Sequence, residues 1–324
     1  MTKYLRESAL AGATSFFFLA FARTMSSTHI ILADRFHPGA GWLQIAALSV
    51  YAAFVASRLM DPSLQPKWRK RIWLLFSIVF FSQLLLGLAG FQVFLMSGKL
   101  HLPIPAIILA GPFYRGGSYF MPILFTTSML VLGPAWCSYL CYFGAWDGLA
   151  AEARKRPGTR TKSKNLLRTI IVLTIIAVAV LMRVLGAPVP VALWPAVAFG
   201  IAGIIIILIF STRSGVMTHC VTWCPMGLVA NVMGKVSPFR IRLSAHCTDC
   251  MACTTACRYD ALGGAEVSAR RPGLSCTLCG DCLSKCRHDS IGYRFLGLSP
   301  AASRRLFIVT ASIMHTLFIG IAML

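Results

Sequence analysis

The sequence predicts an all-α polytopic membrane protein of about seven spans, with a small cysteine-rich α+β segment inserted before the last span. Three observations carry this. Of 324 residues, 57% are hydrophobic and 13% charged, with a mean hydropathy of +0.71; soluble domains sit near one half and one quarter. Uncharged stretches of about 20 residues, enough to cross a bilayer, recur along the chain. Eight of the twelve cysteines crowd between positions 247 and 286. Composition excludes an ordinary soluble enzyme, a disordered chain and a nucleic-acid binder. The net charge of +21 is read as the Lys and Arg that gather in cytoplasmic loops of membrane proteins.

The spans follow in order. Ser8–Ala22 begins the first, with Arg23 snorkelling at its far end. Lys3 and Arg6 ahead of an apolar core resemble a secretory signal, but the segment is read as an anchor. Gly39–Ser57 is the second, and Ile72–Gly98 contains the third. The fourth lies early in Gly116–Trp146, a run too long for one span. Leu166–Leu185 is the fifth, Pro190–Phe210 the sixth and Leu306–Leu324 the seventh. Leu100–Pro112, broken by Pro103, Pro105 and Pro112, is too short to cross and reads as re-entrant or interfacial.

Lys and Arg orient the spans. One side takes Lys3, Arg6, Arg58, Lys67, Arg69, Lys70, Arg71, Arg154, Lys155, Arg156, Arg160, Lys162, Lys164 and Arg168, fourteen in all. The other takes only five: Arg23, Arg35, Lys99, Arg115 and Arg183. The basic side is therefore expected to be cytoplasmic in a bacterial-type inner membrane, with the N-terminus inside and the C-terminus outside. The expected domains are a six-span membrane domain (1–236), a cytoplasmic cysteine domain (237–300) and a C-terminal transmembrane helix (301–324).

The cysteine segment reads Cys247-x2-Cys250-x2-Cys253-x3-Cys257 and Cys276-x2-Cys279-x2-Cys282-x3-Cys286. This doubled spacing is that of bacterial two-cluster ferredoxins, where the fourth cysteine of each run, expected at the start of a helix, ligates the other cluster. Cys247, Cys250, Cys253 and Cys286 would hold one [4Fe–4S] cluster, and Cys276, Cys279, Cys282 and Cys257 the second. Zinc modules usually separate their Cys pairs by longer loops, and a cytoplasmic location disfavours disulfides. Arg258 and Arg287 stand where the usual run has Pro; a cation there is expected to raise the cluster potential.

The other four cysteines form a second repeat. Cys137-x3-Cys141-x2-Gly144 and Cys220-x3-Cys224-x2-Gly227 are offset by 83 residues. Two spans intervene, so both pairs fall on the cytoplasmic surface. On a helix, positions i and i+4 share a face, and two such faces would make a four-thiolate site. The reading is a third iron–sulfur centre, with zinc as the rival occupant and packing of small residues as the plainer account.

A multi-span chain with two C-x3-C elements, the second followed by Pro225, and then a double-cluster ferredoxin segment resembles the NapH/NosR/MauN family of membrane iron–sulfur proteins. The resemblance covers roughly Gly111 to Ser290, and Cys141 departs from it in being followed by Tyr142 rather than Pro. It implies electron transfer between the quinone pool and a partner respiratory or maturation system.

His315, mid-span in the last helix, is read first as a structural hydrogen-bonding residue and second as a quinone or haem contact. Arg115, in the outer turn Gly111–Gly117, is the other candidate for a quinone oxygen. His29, His37 and His101 read as solvated loop residues, Asp147 as a cap or partner for basic neighbours, and Trp136, Trp146 and Trp223 as interfacial aromatics. No paired carboxylates, nucleophile elbow, P-loop or dinucleotide fingerprint occurs. The expected function is a redox subunit, not catalytic alone, that works with other subunits of a membrane complex and with quinone or quinol. An electron-donating maturation factor for a respiratory metalloenzyme is the alternative.

Overall fold

A computed structural model describes residues 4–26, 29–95, 104–117, 119–158 and 163–321. Lys3, Lys99, His101, Arg160, Lys162, the start of the Leu100–Pro112 piece and the last three residues of the seventh expected span lie outside them. The chain is mostly helical, and six helical stretches are long and apolar enough to cross a membrane: Leu5–Met25, Gly41–Met60, Gln65–Leu88, Phe120–Tyr139, Lys164–Val184 and Val189–Ser214. These correspond to the first six expected spans.

The chain divides into two compact units: Met1–His101 with Ser138–Tyr142 and Tyr293–Leu324, and Leu102–Cys137 with Phe143–Gly292. In the first, α1 (Leu5–Met25), the short α2 (Leu32–Phe36), α3 (Gly41–Met60) and α4 (Gln65–Leu88) precede the return of the chain near its end. Small residues Ser8, Ala11, Gly12 and Ser15 form a buried stripe on α1, where small side chains let helices approach closely. A Cβ at Gly12 would stand 2.9 Å from the Ser49 carbonyl oxygen, so α1 and α3 meet nearly backbone to backbone. Leu19, Ile31 and Ile45 make a fully buried cluster beside them. At the end of α1, Arg23 forks onto Asp34 at 2.6 and 3.0 Å, and the same carboxylate accepts the Gly39 and Gly41 amides.

The seventh expected span begins earlier in the chain than its apolar run. The last helix covers Pro300–Gly320, with Ser299 accepting the Ala302 amide at its N-terminus. It contains Arg304, Arg305 and His315, and it is not among the six helices apolar enough to cross. Arg304 donates to the Leu59 and Met60 carbonyls and to Gln65, and Arg305 pairs with Glu7. The first turn of this helix is therefore polar and tied down.

In the second unit, α5 (Pro105–Arg115) forms where a broken piece was expected. Pro105 stands in its first turn, where a missing N–H costs nothing, and Gly116, at φ +67°, stops it in a left-handed cap. Eleven residues reach only about 16 Å, short of a span. Next come α6 (Phe120–Leu132), α7 (Trp136–Tyr139, whose last two residues belong to the first unit), α8 (Tyr142–Ala151, from Phe143 in the second), α9 (Lys164–Val184) and α10 (Val189–Ile205). A π-helical stretch Ile206–Ser211 continues α10 into the three-residue α11 (Thr212–Ser214). Then α12 (Pro225–Met233) leads to strand β1 (Phe239–Leu243), α13 (Gly264–Ser268) and the five-residue strand β2 (Ile291–Phe295, from Tyr293 in the first unit). The final helix is α14 (Pro300–Gly320).

Candidate iron–sulfur sites

The cysteine segment is built as two copies of one backbone, 29 residues apart. Left-handed residues recur at matched positions: Asp249 and Leu278 at φ +53° and +54°, Met251 and Gly280 at +59° and +81°, Asp260 and Asp289 at +49° and +47°. Only one of the six is glycine, although left-handed backbone is costly for a side chain of any size. Alternating right- and left-handed residues turn successive amides toward a common centre, which suits an anion. The amides four residues past each fourth cysteine match as well: Ala261 N–H donates to Cys257 Sγ at 3.2 Å, and Ser290 N–H to Cys286 Sγ at 3.3 Å.

The thiols fall into two crossed groups. Burial, then the charges of Cys247, Cys286 and Cys250, push Cys253 up to about 11. Burial, then Cys279, Cys276 and Cys257, push Cys282 well above the ordinary thiol range. Cys276 is pushed up to about 12, again by burial first and with Cys257 adding to it. Buried thiols with such values are poor thiolates on their own, and a metal centre is what would hold them deprotonated. Among the described residues, no three His, Cys, Asp or Glu side chains converge as on one metal ion. The chemistry of the segment fits an iron–sulfur cluster: buried thiols in two groups, with backbone N–H donors on the Cys257 and Cys286 sulfurs.

Two details differ from expectation. Cys257 and Cys286 follow the 3-10 turns Ala252–Ala256 and Leu283–Lys285 in non-helical conformations; neither opens a helix, because the left-handed Asp260 and Asp289 interrupt the chain three residues on. The Arg258 guanidinium donates to the Gly215 and Lys155 carbonyls, at 2.8 and 3.1 Å. Lys164, at the start of α9, pairs with Asp260 at 2.7 Å. These contacts bind the cysteine segment to α9 and its neighbouring loops within one unit.

The second cysteine set is not helical in the expected sense. Cys137 lies in the four-residue α7, and Cys141 follows its end, in the Ser138–Tyr142 stretch of the first unit. Cys220 lies in a single π turn, His219–Trp223, closed by the Cys224 amide on the His219 carbonyl at 2.8 Å. Cys224 is extended, and α12 starts at the next residue, Pro225. Pro is preorganised for a helix start, and Cys224 stands at the N-cap of α12 without a side-chain capping hydrogen bond. The Cys-Pro-x-Gly sequence is thus the N-terminus of α12, with Cys224 at the N-cap and Pro225 in the first turn. Burial nevertheless pushes Cys224 up to about 11.

Three side chains that the sequence did not single out, or read differently, complete this region. Arg168 of α9 is fully buried; it donates to Asn165 at 2.9 Å, while its Nε and Nη1 have no partner. Its charge acts on Cys137, Cys224 and Cys220. Asp147, also fully buried, accepts from Ser211 Oγ at 2.6 Å and from the Cys220 amide at 2.9 Å; basic neighbours are not its partners. Burial pushes it up to about 6. His219 is buried, held against Gly203 and tilted over Phe143, and burial pushes it down to about 4, so it is neutral. The region thus holds a buried cation whose Nε and Nη1 have no partner and on which the Cys137, Cys224 and Cys220 charges act.

Of the tryptophans, Trp146 is exposed, but Trp136 is buried edge-on to Phe125 and Trp223 stacks on Phe199 at 4.7 Å. Both are therefore packed against other aromatic rings. His29 and His37 are exposed.

The quinone candidates lie apart from each other. His315 is fully buried, with Nδ1 3.3 Å from the Tyr139 carbonyl and Nε2 3.0 Å from the Tyr51 hydroxyl. A carbonyl only accepts, so Nδ1 carries the proton and Nε2 receives the tyrosine O–H. Arg69, Trp73 and Ser77 likewise donate to the carbonyls of Ser138, Cys141 and Tyr142, at 3.0, 2.7 and 2.9 Å. His315 is thus, with Arg69, Trp73 and Ser77, among the donors that hold the Ser138–Tyr142 backbone. Arg115 is exposed and folds back over Gly111. In the second unit, a largely apolar cavity of about 710 Å³ is lined by residues of α5, α6, α9 and α12, including Phe125, Met226 and Arg183. Arg183, not Arg115, is its cation.

Comparison with known proteins bears on this second set. A family described as 4Fe-4S binding domain matches residues 106–160 and 196–244. The first stretch holds Cys137 and Cys141, the second Cys220 and Cys224, and both stop short of Cys247. No curated protein and no solved structure matches the chain. With twelve cysteines and this match, the chain is an iron–sulfur, 4Fe–4S-binding protein.

Proposed function

We propose that the protein is a membrane-bound electron-transfer subunit. It relays electrons between two cytoplasmic [4Fe–4S] clusters, a third iron–sulfur centre on Cys137, Cys141, Cys220 and Cys224, and the quinone pool or a partner redox protein of the same complex. The observation that carries the reading is the crossed grouping of eight cysteines on a twice-repeated, amide-lined backbone. Such clusters exchange one electron at a time, while the protein sets their position and potential. The chain's own part is to hold the thiols, donate N–H groups to sulfur and exclude water.

The fourteen-to-five division of Lys and Arg supports a cytoplasmic cysteine segment. Counting α14 as a seventh span puts the C-terminus outside. The quinone arm rests on the resemblance and on the cavity, whose volume suits a small-molecule site and whose Arg183 offers a donor to a carbonyl oxygen. The test is anaerobic: reduce the purified protein, add a short-chain quinone and follow reoxidation. Expected are iron and sulfide in equal amounts, and reoxidation slowed in Arg183→Gln at unchanged iron content. Equal rates in the two proteins remove quinone from the reading; a protein without iron and sulfide removes the reading itself.

A further inference from the structure

The buried guanidinium of Arg168 has no ordinary structural explanation. A charged side chain is seldom fully buried without a partner, and an unpaired buried N–H costs about 1–3 kcal/mol. Arg168 has one hydrogen bond, from Nη2 to Asn165, and leaves Nε and Nη1 unpartnered at zero exposure. Among the described residues no carboxylate reaches it: Asp147, the fully buried acid of the region, is engaged by Ser211 and the Cys220 amide. The charges that act on it are those of Cys137, Cys224 and Cys220, and its Nη1 lies beside the Gly227 backbone that packs on the Cys220 carbonyl.

The backbone opposite is built to leave room. A Cβ at Gly227 would stand 2.7 Å from the Cys220 carbonyl oxygen and 3.8 Å from Arg168 Nη1. Any side chain there would collide with the Cys220 carbonyl of the cysteine loop, while meeting the guanidinium only at ordinary contact distance. The glycine of the Cys-x3-Cys-x2-Gly repeat thus keeps the π turn, the α12 N-terminus and the arginine in close register. Neutral thiols do not compensate a buried cation. Thiolates bound to an iron–sulfur centre would, because such a centre with four cysteine ligands is anionic and becomes more so on reduction.

We infer that Arg168 is the counter-charge of the second cysteine site: a positioning residue whose cation raises the reduction potential of a centre held there and favours its retention. This rests on reading Cys137, Cys141, Cys220 and Cys224 as an iron–sulfur site. Arginine suits the task because it stays protonated in any protein environment and spreads its N–H donors over a wide plane. A cation beside the centre stabilises the extra electron, so its removal makes reduction harder.

The test uses the full-length protein in detergent or nanodisc. Cys137→Ser with Cys220→Ser first identifies, by iron content and low-temperature EPR, the signal belonging to this site. Arg168→Gln and Arg168→Lys are then titrated by EPR, with the signals of the Cys247–Cys286 segment as internal reference. Arg168→Gln is expected to make reduction of this one signal about tenfold less favourable, about 59 mV more negative for a one-electron couple; Arg168→Lys stays near the parent and the reference signals do not move. If Arg168→Gln loses the centre, retention in Arg168→Lys supports the charge role, and loss in both overturns it. An unshifted potential in Arg168→Gln also overturns it. A double cysteine variant with unchanged iron is a different failure, since it removes the cluster reading on which the inference stands.

Discussion

The Asp147 carboxylate, ten residues beyond Cys137 in the chain, accepts the backbone N–H of Cys220 at 2.9 Å. Its other oxygen takes the Ser211 hydroxyl at 2.6 Å. One buried acid thereby fastens α8 to the π turn that presents the second cysteine pair. The Ser211 hydroxyl in turn accepts the Thr218 amide at 3.0 Å, so the whole Ser211–Cys220 connection is pinned from one point.

Asp147→Ala should therefore cost iron at the second cysteine set while leaving the Cys247–Cys286 segment loaded. Leaving the Cys220 amide and the Ser211 hydroxyl unpaired in the interior costs about 1–3 kcal/mol each. Iron analysis and EPR on the purified variant read the first effect, and thermal unfolding reads the second. Unchanged iron and unchanged stability would show that the π turn holds itself.

The crossed cysteine groups make a prediction that linear spacing does not. Cys257→Ala should resemble Cys282→Ala in the EPR signal it removes, and Cys286→Ala should resemble Cys253→Ala. Each is expected to remove one cluster, about four irons. If Cys257→Ala and Cys253→Ala abolish the same signal, each run binds its own cluster and the crossing is wrong.

Asp34 sets an acid limit on the first unit. The Arg23 guanidinium, with the Gly41 and Gly39 amides adding to it, holds its carboxyl below the usual carboxylate range. A depressed folded pKa means stability that is present above the unfolded value, near 3.9, and lost as pH falls through the folded one. The melting temperature should fall steeply below about pH 4. Asp34→Asn should melt lower at neutral pH and show a flatter acid limb. Parallel acid limbs in the two proteins would exclude this pair as the cause.

His315 should matter to stability rather than to bond-making. His315→Phe strands the Tyr139 carbonyl and the Tyr51 hydroxyl, at about 1–3 kcal/mol apiece, and loosens the backbone that carries Cys141. Thermal unfolding should show the loss, with Tyr51→Phe losing less because the Tyr139 contact survives. A His315→Phe protein as stable as the parent would reopen His315 as a ligand for quinone.

Membrane orientation is testable with reporters. Fusions near position 162 and near Ala269 should report cytoplasm, and one after Leu324 should report the other side. A cytoplasmic signal from the C-terminal fusion would mean that α14, with its two arginines and buried His315, does not cross.

Composition and period-based reading were enough for six apolar helices, because a bilayer-spanning run is a local property that needs no partner. The doubled cysteine spacing of the 247–286 segment was legible for a similar reason, and the left-handed backbone repeats at the same 29-residue offset. Other features depended on distant contacts. Nothing in Lys164–Val184 marks Arg168 as different from its basic neighbours, since its meaning comes from Cys137, Cys220 and Cys224, brought to it from other elements. The cysteine pairs were expected on regular helices, but the π turn at His219–Trp223 and the helix start at Pro225 arise with Asp147, Ser211 and Pro225 acting together. Arg115 and Arg183 look alike in sequence, and only folding decides that one lies back over Gly111 while the other lines a cavity. Hydrophobic length and ligand spacing are written along the chain; the satisfaction of a buried charge is not, because its partners are chosen only when the helices pack.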